Sequence, residues 1–121
     1  MGWDVYAFDA STVGKDKALD LAEQEGVGIS YEVGQTEDFK ANPGEDDAIA
    51  LNYCHMQSDI RNLFFDRLVE SLAPGGILFL EAFRKEQLGL KSGGPSDPEM
   101  LYSAEQLTAE FSQLSQVYIT L

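Results

Sequence analysis

The 121-residue sequence has few basic residues and no basic cluster. Lys and Arg number 8 against 21 Asp and Glu, which gives a formal net charge of −13. Phosphate contacts supply much of the affinity of proteins for nucleic acids, and anionic membranes attract basic segments. The composition therefore argues against a nucleic-acid partner and a membrane partner. We interpret the acidic excess as a source of solubility and mutual repulsion between chains.

Cysteine, histidine and long apolar runs are also scarce. Cys54 is the one cysteine and His55 the one histidine, so the sequence has no intramolecular disulfide and no Cys/His cluster for zinc. No stretch approaches the roughly 20 apolar residues of a membrane-spanning helix. The N-terminus lacks the basic and apolar regions of a signal peptide. We expect a cytoplasmic protein without a bound metal.

Short apolar stretches alternate with amphipathic ones along the chain. The predicted strands are Trp3–Asp9, Gly28–Val33, Asp47–Tyr53, Ile77–Phe83 and Val117–Leu121; the predicted helices are Val13–Glu25, Asp59–Leu72 and one that Ser103 opens. Pro74-Gly75-Gly76 predicts a tight turn before the fourth strand. The alternation predicts the α/β class, with a doubly wound, mostly parallel sheet in a single domain over residues 1–121.

Three candidate positions follow predicted strands directly: Asp9, the turn Gly34–Asp38, and the turn Asn52–Met56. The carboxyl ends of parallel strands share one edge of a sheet, and open α/β sheets bind their ligands there. These positions therefore predict a ligand site at that edge.

Five stretches together resemble the class I S-adenosylmethionine-dependent methyltransferases, most closely the small tellurite-resistance-type branch. They are WDVYAFDAS, VGQTEDF, DAIALNYCHM, LAPGGILFLEAF, and KEQLG followed by GGPSDPEMLYSAEQL. LAPGGILFLEAF is the most specific of them, and their order and spacing match the family over nearly the whole chain. The resemblance implies a Rossmann-like fold, S-adenosylmethionine as cofactor and methyl transfer to a small molecule.

The resemblance also implies roles for individual residues. Asp9, with Ala10 beside it, matches the acidic strand end that binds the cofactor's ribose hydroxyls. Gln35, Thr36 and Glu37 match the turn that contacts adenine, although the family often has Asp where this chain has Gln35. Asn52 and Tyr53 match the turn lying against the methyl-donor and substrate sites.

The family's first strand, its glycine-rich loop and its first helix have no counterpart ahead of Met1. We therefore expect a partial methyltransferase-like domain, truncated at both ends. In the family's order the first strand lies between the strands that match Trp3–Asp9 and Asp47–Tyr53. An unpaired apolar strand edge promotes association. The second hypothesis is thus a catalytically inactive domain that self-associates into a dimer or a larger assembly.

Several candidate residues also have a plainer interpretation. Asp9 can cap the helix that follows it, and Thr36–Asp38 can be a solvated turn. His55 is a weak candidate for a general base; its alternative is a half-buried ring bonded to the backbone. Cys54 is better explained as a small buried side chain than as a nucleophile, because neighbouring residues of an extended strand point in opposite directions.

Two further segments keep two interpretations each. Glu81, at the end of the fourth predicted strand, holds a helix terminus or faces the substrate. The Gly- and Pro-rich loop Gly89–Pro98 is a lid over the substrate or a flexible connector.

Overall fold

Two pairs of parallel strands organise the protein. The computed structural model describes residues 2–121, and the chain divides into two units, Met1–Phe39 and Lys40–Leu121. Each unit contains one strand pair, and within the described residues no strand of one pair bonds to a strand of the other. The parallel pairing expected from the sequence is confirmed, as two sheets of two strands each. The single domain remains a prediction.

The first unit is a β-α-β arrangement. Strand β1 is Tyr6–Asp9, helix α1 is Thr12–Glu25 and strand β2 is Ser30–Val33, which pairs with β1 from Tyr6↔Ser30 to Asp9↔Val33. A 3-10 turn, Thr36–Asp38, follows β2. A hydrogen bond from the Tyr6 hydroxyl to the carboxylate of Glu32 also connects the two strands.

Helix α1 begins and ends at the residues that the sequence marks. The amide of Gly14 donates to the Ser11 hydroxyl, 2.8 Å, so Ser11 satisfies one of the amides at the helix start. Gly26 ends the helix in the left-handed region, at φ 67°, which glycine adopts without steric cost. Both ends confirm the helix predicted from the sequence, within one residue.

The second unit contains the larger part of the buried core. Strand β3 is Asp46–Asn52, helix α2 is Ser58–Ser71, strand β4 is Leu72–Glu81 and helix α3 is Ala104–Glu110, with 3-10 turns at Lys85–Gln87 and Pro98–Met100. The β3–β4 ladder runs in parallel from Ala48↔Ile77 to Asn52↔Glu81. The large buried side chains of this unit lie in α2, in the segment before α3 and directly after α3: Phe64, Phe65, Leu68, Leu101, Tyr102 and Phe111.

One buried ion pair connects α3 to α2. Nε and Nη2 of Arg61 donate to Oε1 of Glu110, at 3.0 and 2.8 Å, and Nη1 donates to the carbonyl of Glu99. The guanidinium lies 5.1 Å from the centre of the Tyr102 ring, and Arg61 is only 1% exposed. A buried charge needs such partners because it has lost its water. The pair therefore holds α3 in place over the core.

The predicted turn at Pro74-Gly75-Gly76 lies inside β4 rather than before it. The ladder pairs Asp46 with Leu72 and next pairs Ala48 with Ile77, so Asp47 alone lies opposite residues 73–76. Gly75 has φ 80°, and a Cβ on Gly76 would lie 2.8 Å from a carbonyl oxygen. The glycines thus form a bulge, and β4 begins five residues before the predicted boundary, Ile77.

The predicted strand Val117–Leu121 is wrong. These residues have no regular secondary structure, and Tyr118 and Leu121 are 86% and 81% exposed. Strand preference depends on a neighbouring strand and a surface to pack on. In the described part of the chain, no strand pairs with this segment.

One face of the β3–β4 sheet is open. Ile77 and Phe79 are 55% and 59% exposed, and their ladder partners Ala48 and Ala50 are exposed as well. Leu51, which points to the other face, is buried. The sheet therefore packs on one side and leaves an apolar surface on the other.

Candidate functional site

Asp9 lies at the carboxyl end of β1 and is exposed. Its Oδ1 accepts a hydrogen bond from the amide of Ala10, 2.7 Å, and its Oδ2 accepts one from the Tyr31 hydroxyl, 3.3 Å. The cap of α1 is Ser11, so Asp9 does not have the capping role that was its plainer interpretation. Each carboxylate oxygen keeps a second lone pair for a ligand donor.

The Asp9 carboxylate affects the pKa of Tyr31. Loss of hydration, the Asp9 charge and the hydrogen bond to Asp9 raise the pKa of Tyr31 above its ordinary value. Tyr31 therefore remains a donor at neutral pH and helps to orient Asp9.

The turn after β2 lies beside Asp9. The amide of Gly34 donates to the Asp9 carbonyl, 3.0 Å, and the ring of Phe8 lies 2.9 Å from where a Gly34 Cβ would be. The backbone of the turn can come this close because residue 34 has no side chain. The strand ends of β1 and β2 thus bring Asp9 and Gln35 to one edge of their sheet.

Internal hydrogen bonds order the 3-10 turn itself. The amide of Gln35 donates to Oδ2 of Asp38, 3.0 Å, and the hydroxyl of Thr36 donates to Oε2 of Glu37, 3.0 Å. The Gln35 side chain is exposed. The turn is an ordered element with an exposed amide side chain, in agreement with either of its two interpretations.

Asn52 and Tyr53 lie at the carboxyl end of β3, in the second unit. Asn52 pairs with Glu81 across the ladder, and the amide of Tyr53 donates to the Glu81 carbonyl, 2.7 Å. Tyr53 has φ 51°, a left-handed conformation that costs a bulky residue on the order of 1 kcal/mol. Its hydroxyl donates to Oε1 of Glu81, 2.9 Å, and this bond raises the pKa of Tyr53.

Both ring nitrogens of His55 bind the backbone. The amide of Phe83 donates to Nε2, 3.2 Å, which leaves Nδ1 as the protonated nitrogen, and Nδ1 lies 2.7 Å from the carbonyl of Met100. The imidazole also stacks on the Phe83 ring, with centroids 5.8 Å apart. A general base needs a free nitrogen near the substrate. The geometry thus favours the half-buried ring bonded to the backbone.

Cys54 lies next to His55 along the chain, and its side chain is half-buried. Its carbonyl accepts a hydrogen bond from the Tyr102 hydroxyl, 2.6 Å. Burial and the nearby Cys54 raise the pKa of that hydroxyl. These contacts fix the backbone of the turn after β3.

A cavity of ≈ 1170 Å³ lies within the second unit. Its lining includes strand β4 and residues 113–121, with Tyr53, Glu81 and Phe83 near the carboxyl ends of the strands. Residues 2–121 contain no group of three or more His, Cys, Asp or Glu side chains that could hold a metal ion. None of the helices in the described part of the chain is long and apolar enough to span a membrane.

Sequence reasoning did not find that Tyr31 is the hydrogen-bond partner of Asp9, or that Glu81 is the partner of Tyr53. Tyr31 is 22 residues from Asp9, and Glu81 is 28 residues from Tyr53. The sequence placed Glu81 at a strand end but left open what it contacts. The strand register is the signal that joins each pair, and it becomes known only once the strands are paired.

Comparisons with known proteins support the fold. No family model matches the sequence, and no curated protein matches it. A solved structure, the PH0226 protein from Pyrococcus horikoshii OT3, is similar with a TM-score of 0.61 and 18% sequence identity. The match covers 73% of this chain and 46% of that chain, so the present chain spans less than half of PH0226. The likeness shows a shared α/β architecture, consistent with a partial Rossmann-like fold.

Proposed function

We propose that this chain is part of an S-adenosylmethionine-dependent methyltransferase that acts on a small molecule. The main support is the position of Asp9 at the carboxyl end of β1, with its carboxylate exposed and α1 capped by Ser11 instead. The resemblance of five sequence stretches supports the same conclusion, and the fold likeness to PH0226 is consistent with the α/β architecture that it requires.

The residues of the first unit fit the adenosine part of this cofactor. Ribose hydroxyls donate hydrogen bonds, and the exposed oxygens of Asp9 accept them. Gln35 has an exposed side-chain amide whose oxygen can accept a bond from an exocyclic amine, beside Thr36 and Glu37 in the same turn. Ala10 follows Asp9 at the same strand end, and its backbone is the proposed contact with the cofactor. In this proposal these residues bind and orient the adenosine.

Asn52 and Tyr53 are the proposed contacts of the reactive end of the cofactor, by resemblance to the family. The bound group supplies an electrophilic methyl on a sulfonium. The role of the chain is alignment of the acceptor and exclusion of water, because a soft nucleophile needs little help from a base. His55, with both nitrogens bonded to the backbone, positions Phe83 and the Pro98–Met100 turn.

Calorimetric titration with S-adenosylhomocysteine tests the proposal. We expect micromolar binding to the wild-type chain. Asp9→Asn should weaken binding about ten- to a hundredfold, since charge-assisted hydrogen bonds contribute roughly 1.5–3 kcal/mol. Asp20→Asn, the same charge change on the exposed face of α1, should leave Kd unchanged. No heat with millimolar ligand would contradict the proposal for this chain.

A second candidate function is self-association, as a homodimer or a larger assembly. The observation that favours it is the open face of the β3–β4 sheet, with Ile77 and Phe79 more than half exposed. Two-stranded sheets are only marginally stable alone, and open strand edges pair readily. Light scattering at micromolar chain concentration should give the mass of a dimer or more. Phe79→Lys should return the mass to that of one chain, and a wild-type monomer would contradict this candidate.

A further inference from the structure

The end of the cavity nearest the strand termini combines two aromatic rings with a carboxylate. The rings of Tyr53 and Phe83 have centroids 5.0 Å apart at an angle of 49°. The Tyr53 hydroxyl donates to Oε1 of Glu81, and the Glu81 side chain is exposed. Tyr53 is 50% exposed. A ligand can therefore reach both the ring and the carboxylate.

Phe83 is fixed by the structure around it. Its amide donates to His55 and its ring stacks on the imidazole. On the loop side, a Cβ on Gly94 would lie 2.6 Å from the Phe83 ring, so the backbone of the loop packs directly against it. The aromatic wall is thus held in place before any ligand binds, which lowers the entropic cost of binding.

The lining of the cavity suits a cation. Three carboxylates line it, Glu81, Glu86 and Glu105, against one guanidinium, that of Arg84. The Arg84 guanidinium lies 3.7 Å from the Glu86 carboxylate, which compensates its charge. Beyond Glu81 the lining along β4 is apolar, with Ile77 and Phe79 exposed. The cavity combines a negative, aromatic end with an apolar wall.

We propose that Tyr53, Glu81 and Phe83 form a binding site for a small alkylated cation. Alkylammonium and sulfonium ions are attracted both by a carboxylate and by the faces of aromatic rings, while their alkyl groups lose little by leaving water. Two molecules carry a cation of this kind: the methyl acceptor, if it has an ammonium group, and the methyl donor, through its sulfonium. The identity of the natural cation rests on the proposed function, whereas the inference of a site rests on the geometry of β3, β4 and Phe83.

Choline and 3,3-dimethyl-1-butanol are matched probes, because they share a shape and differ by the positive charge. Chemical shifts of the Tyr53 and Phe83 ring protons report their binding to the full chain. We expect saturable shifts with choline and affinity about fivefold weaker for the neutral alcohol, from one exposed cation–π contact and one exposed ion pair.

Variants separate a specific site from the general acidity of the chain. Glu81→Gln should weaken choline binding about two- to threefold, since it removes the ion pair but keeps the shape and the aromatic contact. Glu70→Gln removes one charge from the exposed end of α2, at a residue that does not itself line the cavity, and should leave choline binding unchanged. Tyr53→Leu should reduce the preference for the cation to the part that the Glu81 charge supplies. Equal binding of the two probes, or equal effects of the Glu81 and Glu70 variants, would overturn the inference.

A second pair of ligands identifies the source of the cation. If the sulfonium binds at this site, Glu81→Gln lowers the affinity for S-adenosylmethionine but not for S-adenosylhomocysteine, which carries no charge at sulfur. If an ammonium of the acceptor binds there, that ratio is unchanged and choline binds to chain already saturated with S-adenosylhomocysteine. Both results support the site. Choline binding without S-adenosylhomocysteine binding would refute the proposed function and leave the cation site standing.

Discussion

His55 connects three segments of the second unit, and its replacement should destabilise that unit in a graded way. Its Nε2 accepts from the amide of Phe83 and its Nδ1 donates to the carbonyl of Met100. Each such bond contributes roughly 0.5–1.5 kcal/mol, and each orphaned partner adds a desolvation cost. His55→Ala should therefore lower the free energy of unfolding by about 2–4 kcal/mol.

Two further variants test the two hydrogen bonds of His55 separately. In His55→Asn the side-chain amide reaches the position of Nδ1 and keeps the bond to Met100. In His55→Gln the side-chain oxygen reaches the position of Nε2 and keeps the bond to Phe83. Each should therefore cost about half as much as His55→Ala.

Urea unfolding, followed by circular dichroism and one-dimensional NMR of the Phe83 ring, measures this series. Equal unfolding free energies for wild type and His55→Ala would refute the reasoning. So would a loss of methyl transfer in all three variants with unchanged stability, since that pattern belongs to a general base.

Three further predictions concern stability. Arg61→Met should lower the free energy of unfolding in urea by about 3–5 kcal/mol, because the Glu110 carboxylate stays buried without its partner. The double variant with Glu110→Met should recover most of that loss. No recovery would contradict the account. Gly76→Ala should cost about 1–3 kcal/mol, since its Cβ would overlap two backbone carbonyl oxygens, whereas Gly28→Ala, with no atom nearby, should be tolerated; equal effects would contradict the bulge. Burial, together with its bond to a carboxylate on β2, raises the pKa of Tyr6 to about 12. The stability that this bond supplies is complete below pH 10, the ordinary tyrosine pKa, and is lost as the pH rises through about 12. Tyr6→Phe should remove the component near pH 12 from the tyrosinate absorbance titration, and its persistence would contradict the assignment.

The sequence predicts helices with local signals more reliably than strands that depend on distant partners. Ser11 and Gly26 mark the ends of α1, and Ser103 accepts from the amide of Gln106 at the start of α3, as predicted. These signals act within one helical turn. The strand Val117–Leu121 fails for the opposite reason, because its residues favour a strand but have no strand beside them in the described structure.

The same distinction applies to the candidate site. Position after an apolar stretch is enough to place Asp9 and Tyr53 at strand ends. Their partners Tyr31 and Glu81 depend on the register between strands, which no local pattern specifies. The left-handed conformation of Tyr53 is also invisible to sequence reasoning, because residue type disfavours it.

An amide chemical-shift titration with S-adenosylhomocysteine tests the central claim most directly. The proposal predicts saturable shifts for Ala10, Gly34 and Thr36 of the first unit and for Asn52 and Tyr53 of the second unit, while the amides of exposed α1 residues stay in place. No shift at millimolar ligand, or shifts confined to residues outside these strand ends, would contradict it.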